Sequence, residues 1–436
     1  MYKYFPHTEA DISEMLGKIG LSSLDELYAE IPENIRFDKD YDLKKSMSED
    51  EVRNYFRELG KTNKKLIPFA GGGAYDHYAP AVIGQLISRS EYLTAYTPYQ
   101  PEISQGTLQY IFEFQSMICE LTGMECCNAS MYDGATATAE AMLMSIAHAK
   151  KRNKVIVSRT LNPIEVVETY ARFHGVNLEM IPEKEGVTDK AVMEKLLEAD
   201  DVAGVIASTP NRYGIIEDFS GFADNAHAHK ALFIVYASAM AVLKTPGEWG
   251  ADIACGDGQT LGMPLNFGGP YVGYLAATRD LVRKLPGRIV GATTDVDGKR
   301  AFVLTLQARE QHIRRQKANI CSNQSLMALY VTIYMALMGK QGMKEVNEKS
   351  YAGAHYLCDK LLETGKFSIC FDKPFLKEFA VKTTLNRDTL LKHLEEKGFL
   401  AGIPIEGTDD ALLFCVTEKR TREEIDNLVS LIEKEG

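Results

Sequence analysis

At 436 residues the chain is longer than one ordinary core supports, so a large domain with appendages is expected. Apolar residues make up 45% and charged residues 25%, which excludes a disordered or fibrous chain, and the net charge of -11 argues against a nucleic-acid partner, which would be met by clustered Lys and Arg. No apolar run reaches membrane-spanning length, and the opening MYKYFPHTEADISEML has neither a signal-type apolar core nor an Arg-rich bias, so no membrane role and a cytoplasmic location are expected.

Three helical segments open the chain. Each has Ser or Thr followed three residues later by an acid: Thr8 with Asp11, Ser23 with Glu26, and Ser48 with Glu51. Gly20 and Gly60 stand where a left-handed residue would close two of them. This helical arm, residues 1–68, is acidic and is expected to pack on the chain's body or on a partner. From Phe69 to Gln105 the sequence FAGGGAYDHYAPAVIGQLISRSEYLTAYTPYQPEISQ is dense in Gly, Pro and Tyr. That composition suits a rigid pocket rim or an interface, against the plainer reading of a long connection pinned by aromatics. The helix GTLQYIFEFQSMICELTG follows, ended by Gly123. Asp133, Gly134, Ala135, Thr136, Ala137 and Thr138 then open a long Ala-rich helix. Small residues and hydroxyls at a helix start suit a phosphate, and they also simply allow close packing.

From Lys154 the runs KVIVS, NLEMIP, VAGVIAS and LFIVYAS alternate with helices through VVETYARFHG, MEKLLEA and FADNAHAHK, the signature of a mainly parallel sheet covered on both faces. TPNRYG lies at the carboxyl end of the third strand, where ligands bind in such sheets. His227 and His229 sit in a solvent-facing helix with no third ligand nearby. The eight cysteines lie in apolar contexts such as SMICEL and ADIACG without zinc-type spacing, so they read as core residues in a reducing compartment and no metal is expected. Next comes Ala251 to Tyr274, ADIACGDGQTLGMPLNFGGPYVGY, a glycine-rich turn with no Lys or Arg in a chain that holds 49.

A strand and a helix are expected in VGYLAATRDLVRKLPGRIVG, and a hairpin in TTDVDGKRAFVLTLQ with Asp297-Gly298 in its turn. The basic stretch REQHIRRQKANICSNQSL, with Arg309, His312, Arg314, Arg315 and Lys317, reads either as a solvated helix face or as an anion or partner contact. A long helix from Met343, KEFAVKT, a helix near LLKHLEEKG, LLFCVTE and a last helix starting at Thr421 with Glu424 suggest a small α+β domain, 343–436, beside a large α/β domain, 69–342.

A mainly parallel sheet of the seven-stranded type, a phosphate-type helix start before it and a small carboxyl-terminal α+β domain together resemble the aspartate-aminotransferase-like fold, fold type I of the pyridoxal phosphate enzymes. In that fold the strand matching LFIVYAS ends in an Asp that binds the pyridine nitrogen, and the following glycine-rich turn carries the Schiff-base lysine. Here the strand ends in Tyr236-Ala237-Ser238, and Gln259 and Thr260 stand where the lysine is expected. Electron-sink chemistry needs both the carboxylate and the amine, so covalent cofactor binding and independent catalysis by this chain are not expected. Lys244 is the nearest lysine, and nothing in the sequence aims it at a ligand.

The segments GGGAYDHYAPAV, EYLTAYTPYQPEISQGTLQYIFEFQ, NASMYDGATATAEAM, GDGQTLGMPLNFGGPYVG and QKANICSNQSL resemble those of the glycine dehydrogenase (decarboxylating) family, the P-protein of the glycine cleavage system, and within it the α chain (subunit 1) of the two-chain form. The resemblance runs almost end to end. It implies an oxidoreductase subunit in an α2β2 assembly whose β chain holds pyridoxal phosphate on a lysine. The implied partners are that β subunit, glycine, and the lipoylated H-protein, whose lipoyl arm takes the aminomethyl group left after decarboxylation.

Under this resemblance Tyr96, Tyr99 and Glu102 are the candidate supporting catalytic residues, near glycine or the lipoyl arm. Gly71, Gly72, Gly73, Tyr75 and His77, with Gln100, Pro101, Ser104 and Gln105, would complete a rim facing the partner's cofactor. Arg314, Arg315 and Asn323 would support the interface or attract the acidic H-protein. Asp133, Gly134, Ala135 and Thr136 would be a vestigial phosphate cradle. Two other readings stay open: a self-sufficient pyridoxal phosphate enzyme using another lysine, and a noncatalytic binding or regulatory module that kept the fold.

Overall fold

The computed structural model describes residues 4, 6–37, 39–162, 164–238, 240–266, 268–305, 320 and 322–435. They form two compact units, 1–64 and 65–436. In the first, helices α1 (Glu9–Ile19) and α2 (Glu49–Gly60) begin on the expected capping boxes, in which hydroxyl and carboxylate each accept a backbone amide. Gly20 closes α1 at φ 78°. The Ser23 signal starts a 3-10 turn, Leu24–Tyr28, instead of an α-helix, because the Ser23 hydroxyl donates to Glu26 and caps no amide. Gly60 is the last residue of α2, not its left-handed cap, since the chain runs on into Lys61 at helical angles.

The second unit is built on a seven-stranded sheet. Its strands are β1 (Cys126–Cys127), β2 (Lys154–Ser158), β3 (Asn177–Ile181), β4 (Val202–Thr209), β5 (Leu232–Ala237), β6 (Ile253–Asp257) and β7 (Gly273–Ala277), in the order β1-β7-β6-β5-β4-β2-β3. The run from β3 to β6 is parallel, and β7 joins β6 to β1 by antiparallel pairing. Every residue of β4 and β5 is buried, and alternate side chains enter different cores, as a sheet covered on both faces requires. On β5, Phe233 and Val235 join one core with Phe114 of α5 (Gln105–Thr122), while Ile234 and Tyr236 join the other with Met142 of α6 (Gly134–Ala149) and Val167 of α7 (Ile164–His174). Each such side chain contributes about 2 kcal/mol by leaving water. The helices α8 (Lys190–Leu197) and α9 (Phe222–Ala228) complete the alternation expected from the sequence.

Phe69 to Gln105 is not one continuous loop. It contains α3 (Ala81–Ile87) and α4 (Ser90–Leu93), and the fully buried Ile83 anchors α3 in the core. After β7 the expected helix is a 3-10 helix, Arg279–Lys284. The hairpin of β8 (Val290–Thr294) and β9 (Arg300–Leu304) is as expected: Gly298 takes φ 79°, and the amides of Asp297 and Lys299 donate to the Asp295 carboxylate at 2.9 and 2.8 Å. Arg309, His312, Arg314, Arg315 and Lys317 lie outside the described residues.

Helix α10 (Ser325–Glu363) has one break, at Gly339 (φ 58°, ψ −177°). Its later turns pack with α11 (Arg387–Glu396) and α12 (Arg422–Glu433) on an antiparallel sheet of β10 (Phe367–Ile369), β11 (Glu378–Thr383), β12 (Ile403–Pro404) and β13 (Ala411–Cys415), in the order β10-β11-β13-β12. Ile67–Pro68 pairs with Phe399–Leu400, and Phe69 is buried in the same core as Phe379 and Phe414. The chain therefore leaves the core of this carboxyl-terminal sheet at Phe69, whose carbonyl accepts the Cys415 amide at 2.9 Å, and crosses to the carboxyl ends of the main sheet. That crossing, residues 70–78, builds the site.

Candidate functional site

In a parallel sheet the carboxyl strand ends are where ligands bind, and here they are occupied by the chain's own side chains. Strand β6 ends at Asp257. Its Oδ2 accepts the Gly134 amide at 2.9 Å and its Oδ1 accepts the Gln259 amide at 2.8 Å. Burial pushes the Asp257 pKa up to about 6, against the downward pull of both amides. Gly134 must be glycine, because a Cβ there would lie 2.7 Å from the Asp257 nitrogen. One residue earlier, Asp133 caps α6, accepting the Thr136 amide at 2.7 Å. Ala135 lies in the same first turn. The small residues read as a possible cradle thus receive two carboxylates from within the chain.

Gln259 is fully buried. Its Nε2 donates to the carbonyls of Tyr75 and Met263 at 2.8 Å each, and its Oε1 accepts the Tyr75 amide at 2.8 Å. Thr260 donates to the Ser238 carbonyl at 3.0 Å. The side chain at the expected lysine position is therefore a clamp that ties the crossing segment to the glycine-rich turn.

The crossing segment is held from the other side by the carboxyl-terminal sheet. Glu378 accepts the Gly72 amide and the Tyr75 hydroxyl, both at 2.6 Å; burial raises its pKa while these two donors oppose the shift. A Cβ on Gly71 would lie 2.2 Å from Glu378 Oε1, and Gly72 and Gly73 take φ 74° and 111°, so the triple glycine is required by close approach and by left-handed backbone. His77 bridges Glu418 (Nδ1 to Oε2, 2.6 Å) and Lys377 (Nε2 to Nζ, 2.8 Å), and the Lys377 amine lies 3.7 Å from the Tyr75 ring centre. Lys377 can only donate, which assigns the Nε2 lone pair and an Nδ1–H directed at Glu418. Burial, and then the Lys377 charge, lower the His77 pKa and keep the ring neutral. Burial lowers the Lys377 pKa; it also works against the Glu418 carboxylate, but the hydrogen bond from His77 holds that pKa down. His77, Ser238, Thr260, Tyr334, Asn347 and Lys377 line a cavity of about 10 Å³, room for one water at most.

The residues expected to share one rim fall into two groups. Tyr75 and His77 are buried in the network above. Tyr96, Tyr99, Gln100 and Glu102 are exposed, with Tyr96 at 80%. Pro101 and Ser104 are half-buried, and Ser104 stands at the start of α5 without a side-chain cap bond. Gln105 fixes this loop to the hairpin, accepting the Phe302 amide at 2.8 Å and donating to the carbonyls of Phe302 and Pro101 at 2.9 and 2.7 Å. Tyr99 stacks on Arg288, with 5.6 Å from Cζ to the ring centre, and Arg288 reaches Asn323. Arg314 and Arg315 lie outside the described residues.

Sequence reasoning missed Asp257, Lys377, Glu378, Glu418 and Arg288. Signals existed for two sites: an acid inside the glycine-rich turn GDGQ, and the adjacent charges Lys377-Glu378 at the start of the apolar run FAV.

The family profile of the glycine cleavage system P-protein matches residues 2–432. The probable glycine dehydrogenase (decarboxylating) subunit 1 of Moorella thermoacetica is 52% identical over 98% of this chain and 98% of its own length. A crystal structure of glycine decarboxylase, the P-protein of the glycine cleavage system, in inhibitor-bound form, is 42% identical, covers 99% of this chain and 100% of its own, and superposes with a TM-score of 0.88. A sphingosine-1-phosphate lyase from Burkholderia pseudomallei, 13% identical with 93% of each chain covered and a TM-score of 0.68, shares the fold alone. The architecture is the aspartate-aminotransferase-like fold type I expected from the sequence. Matched over almost its whole length, the chain belongs to the glycine cleavage system P-protein family.

Proposed function

We propose that the chain is the cofactor-free α half of a two-chain glycine decarboxylase. With a β chain, in an α2β2 assembly, it decarboxylates glycine and passes the aminomethyl group to the lipoyl arm of H-protein. The supporting observation is the filled pocket at the strand ends. Pyridoxal phosphate does not fit these residues: Ala237 and Gln259 offer neither the carboxylate nor the amine, and Asp257 occupies the Gly134 amide. The cavity beside them, about 10 Å³, is far below the roughly 300 Å³ of a small-molecule site. The cofactor of the assembly is accordingly assigned to the β chain.

In this reading the chain's own contribution is a wall. The buried links Gln259–Tyr75 and Glu378–Tyr75 stiffen the crossing segment, and the exposed loop of Tyr96, Tyr99 and Glu102 presents hydroxyls and a carboxylate to the partner's substrate or to the lipoyl arm. The division into an arm (1–68), a large domain (69–342) and a small domain (343–436) belongs to the same reading and is supported by the break at Gly339 and by the separate core around Phe379 and Phe414.

A self-sufficient enzyme would need another lysine. Lys377 is the lysine beside Ser238 and Thr260, but its amine is enclosed, and Lys244 lies over the Trp249 ring at 3.6 Å. The test is exchange of labelled CO2 with the carboxyl group of glycine in the presence of pyridoxal phosphate and lipoylated H-protein. Exchange is expected only when both chains are present. Exchange by this chain without the β chain, with a Schiff base that borohydride fixes to it, would overturn the proposal.

A further inference from the structure

Arg288 is 8% exposed, yet no carboxylate among the described residues pairs with it. It lies in the loop that leads into β8, where its carbonyl accepts the Ala129 amide at 2.8 Å. Its guanidinium has one hydrogen-bond partner among the described residues, Asn323 Oδ1, reached by Nη1 at 3.5 Å, the outer limit of such a bond. Asn323 is oriented for that role, since its Nδ2 is engaged by the Ser130 hydroxyl at 2.8 Å. The ring of Tyr99, itself 55% exposed, covers the guanidinium at 5.6 Å. Arg420 provides the contrast: its side chain is similarly buried, and it meets the Asp76 carboxylate at 3.1 Å. A guanidinium withdrawn from water without an anion is costly, and its planar fork matches a carboxylate bidentately.

We infer that Arg288, walled by Asn323 and Tyr99, is the receptor for a carboxylate supplied from outside this chain. Two sources share that chemistry, the carboxylate of glycine in the assembled enzyme and an acidic side chain of the β chain. Assigning the source rests on the reading under Proposed function; the need for a carboxylate that no described residue of this chain supplies does not.

The test uses Arg288→Met and Arg288→Lys in the full chain. In the isolated chain, Arg288→Met is expected to melt at or above the wild-type temperature, because it removes a largely buried charge that no described carboxylate neutralises. In the assembled complex, at least a tenfold loss is expected in one of two titrations. Weaker glycine binding, with binding of carboxylate-free methylamine and assembly both unchanged, identifies glycine as the source. Weaker assembly, with glycine binding unchanged in the complex that forms, identifies the β chain. A clear drop in the melting temperature of the isolated Arg288→Met chain, with assembly and glycine binding within twofold of wild type, would overturn the inference. A wild-type complex that neither binds nor turns over glycine would strike at the proposed function, and the melting and assembly measurements would still decide the role of Arg288.

Discussion

Asp257 Oδ2 accepts the amide of Gly134 at 2.9 Å, which sets a carboxylate from the end of β6 on the positive end of α6. The same carboxylate accepts the Gln259 amide, so one acid satisfies two buried donors. Burial raises its pKa from 3.8 to about 6, so the folded chain takes up this proton before the unfolded chain does. The associated stability, about 3 kcal/mol for such a shift, is complete below the unfolded pKa and is lost as pH rises through about 6. Asp257→Asn cannot titrate and offers one oxygen to two amides. Urea unfolding should show wild type exceeding Asp257→Asn by a larger margin at pH 5 than at pH 8. An equal margin at both would contradict this account of the carboxylate.

Gln259 carries the next prediction. Gln259→Ala leaves the amide and carbonyl of Tyr75 without their buried partners and is expected to cost about 3 kcal/mol or more, read from the urea midpoint. Gln259→Lys places an amine where the fold's Schiff-base lysine is expected but leaves Asp257 and the closed cavity in place. Pyridoxal phosphate followed by borohydride should label that variant no more than wild type.

His77 sits between Glu418 and Lys377 as a neutral ring. Burial, then the Lys377 charge, hold its pKa below 6.5, so on acidification the unfolded chain binds a proton there that the folded chain refuses. The stability is present above pH 6.5 and is lost as pH falls through the lowered folded value. His77→Gln can donate to Glu418 and accept from Lys377 without titrating. Its acid limb should be flatter by up to about 1.4 kcal/mol per pH unit, measured by unfolding between pH 7 and pH 5; an unchanged limb would place the acid sensitivity elsewhere.

Much of this was legible in the sequence because it depends on local patterns. The β-branched runs KVIVS and LFIVYAS, the boxes at Thr8, Ser48 and Thr421, and the absence of Lys from the glycine-rich turn all express themselves within a few residues. The partners of Tyr75 do not. Gln259 lies 184 residues away and Glu378 303 residues away, and no local period announces contacts closed by tertiary packing. The pair Tyr99 and Arg288 escaped for the same reason. The early division of GGGAYDH from the Tyr96–Gln105 loop was missed because both share the Gly, Pro and Tyr composition, while only the first is seized by buried acids.

The exposed loop makes an opposite kind of prediction. Tyr96→Phe and Glu102→Gln replace solvent-exposed side chains, so the isolated chain should keep its stability within about 0.5 kcal/mol. In the assembled enzyme each should lower glycine exchange by about tenfold, less than the roughly hundredfold or more of a general acid or base, as fits a group that positions rather than transfers a proton. Full exchange activity in both variants would remove the loop from the site.

On the proposed function, this chain holds no cofactor of its own and lends its fold to the partner's. The direct measurement is borohydride reduction of the assembled complex with pyridoxal phosphate, followed by peptide mapping of both chains. The account predicts one pyridoxyl-lysine for each αβ pair, on the β chain alone. A pyridoxyl group on this chain, whether at Lys377, Lys244 or another lysine, would contradict it.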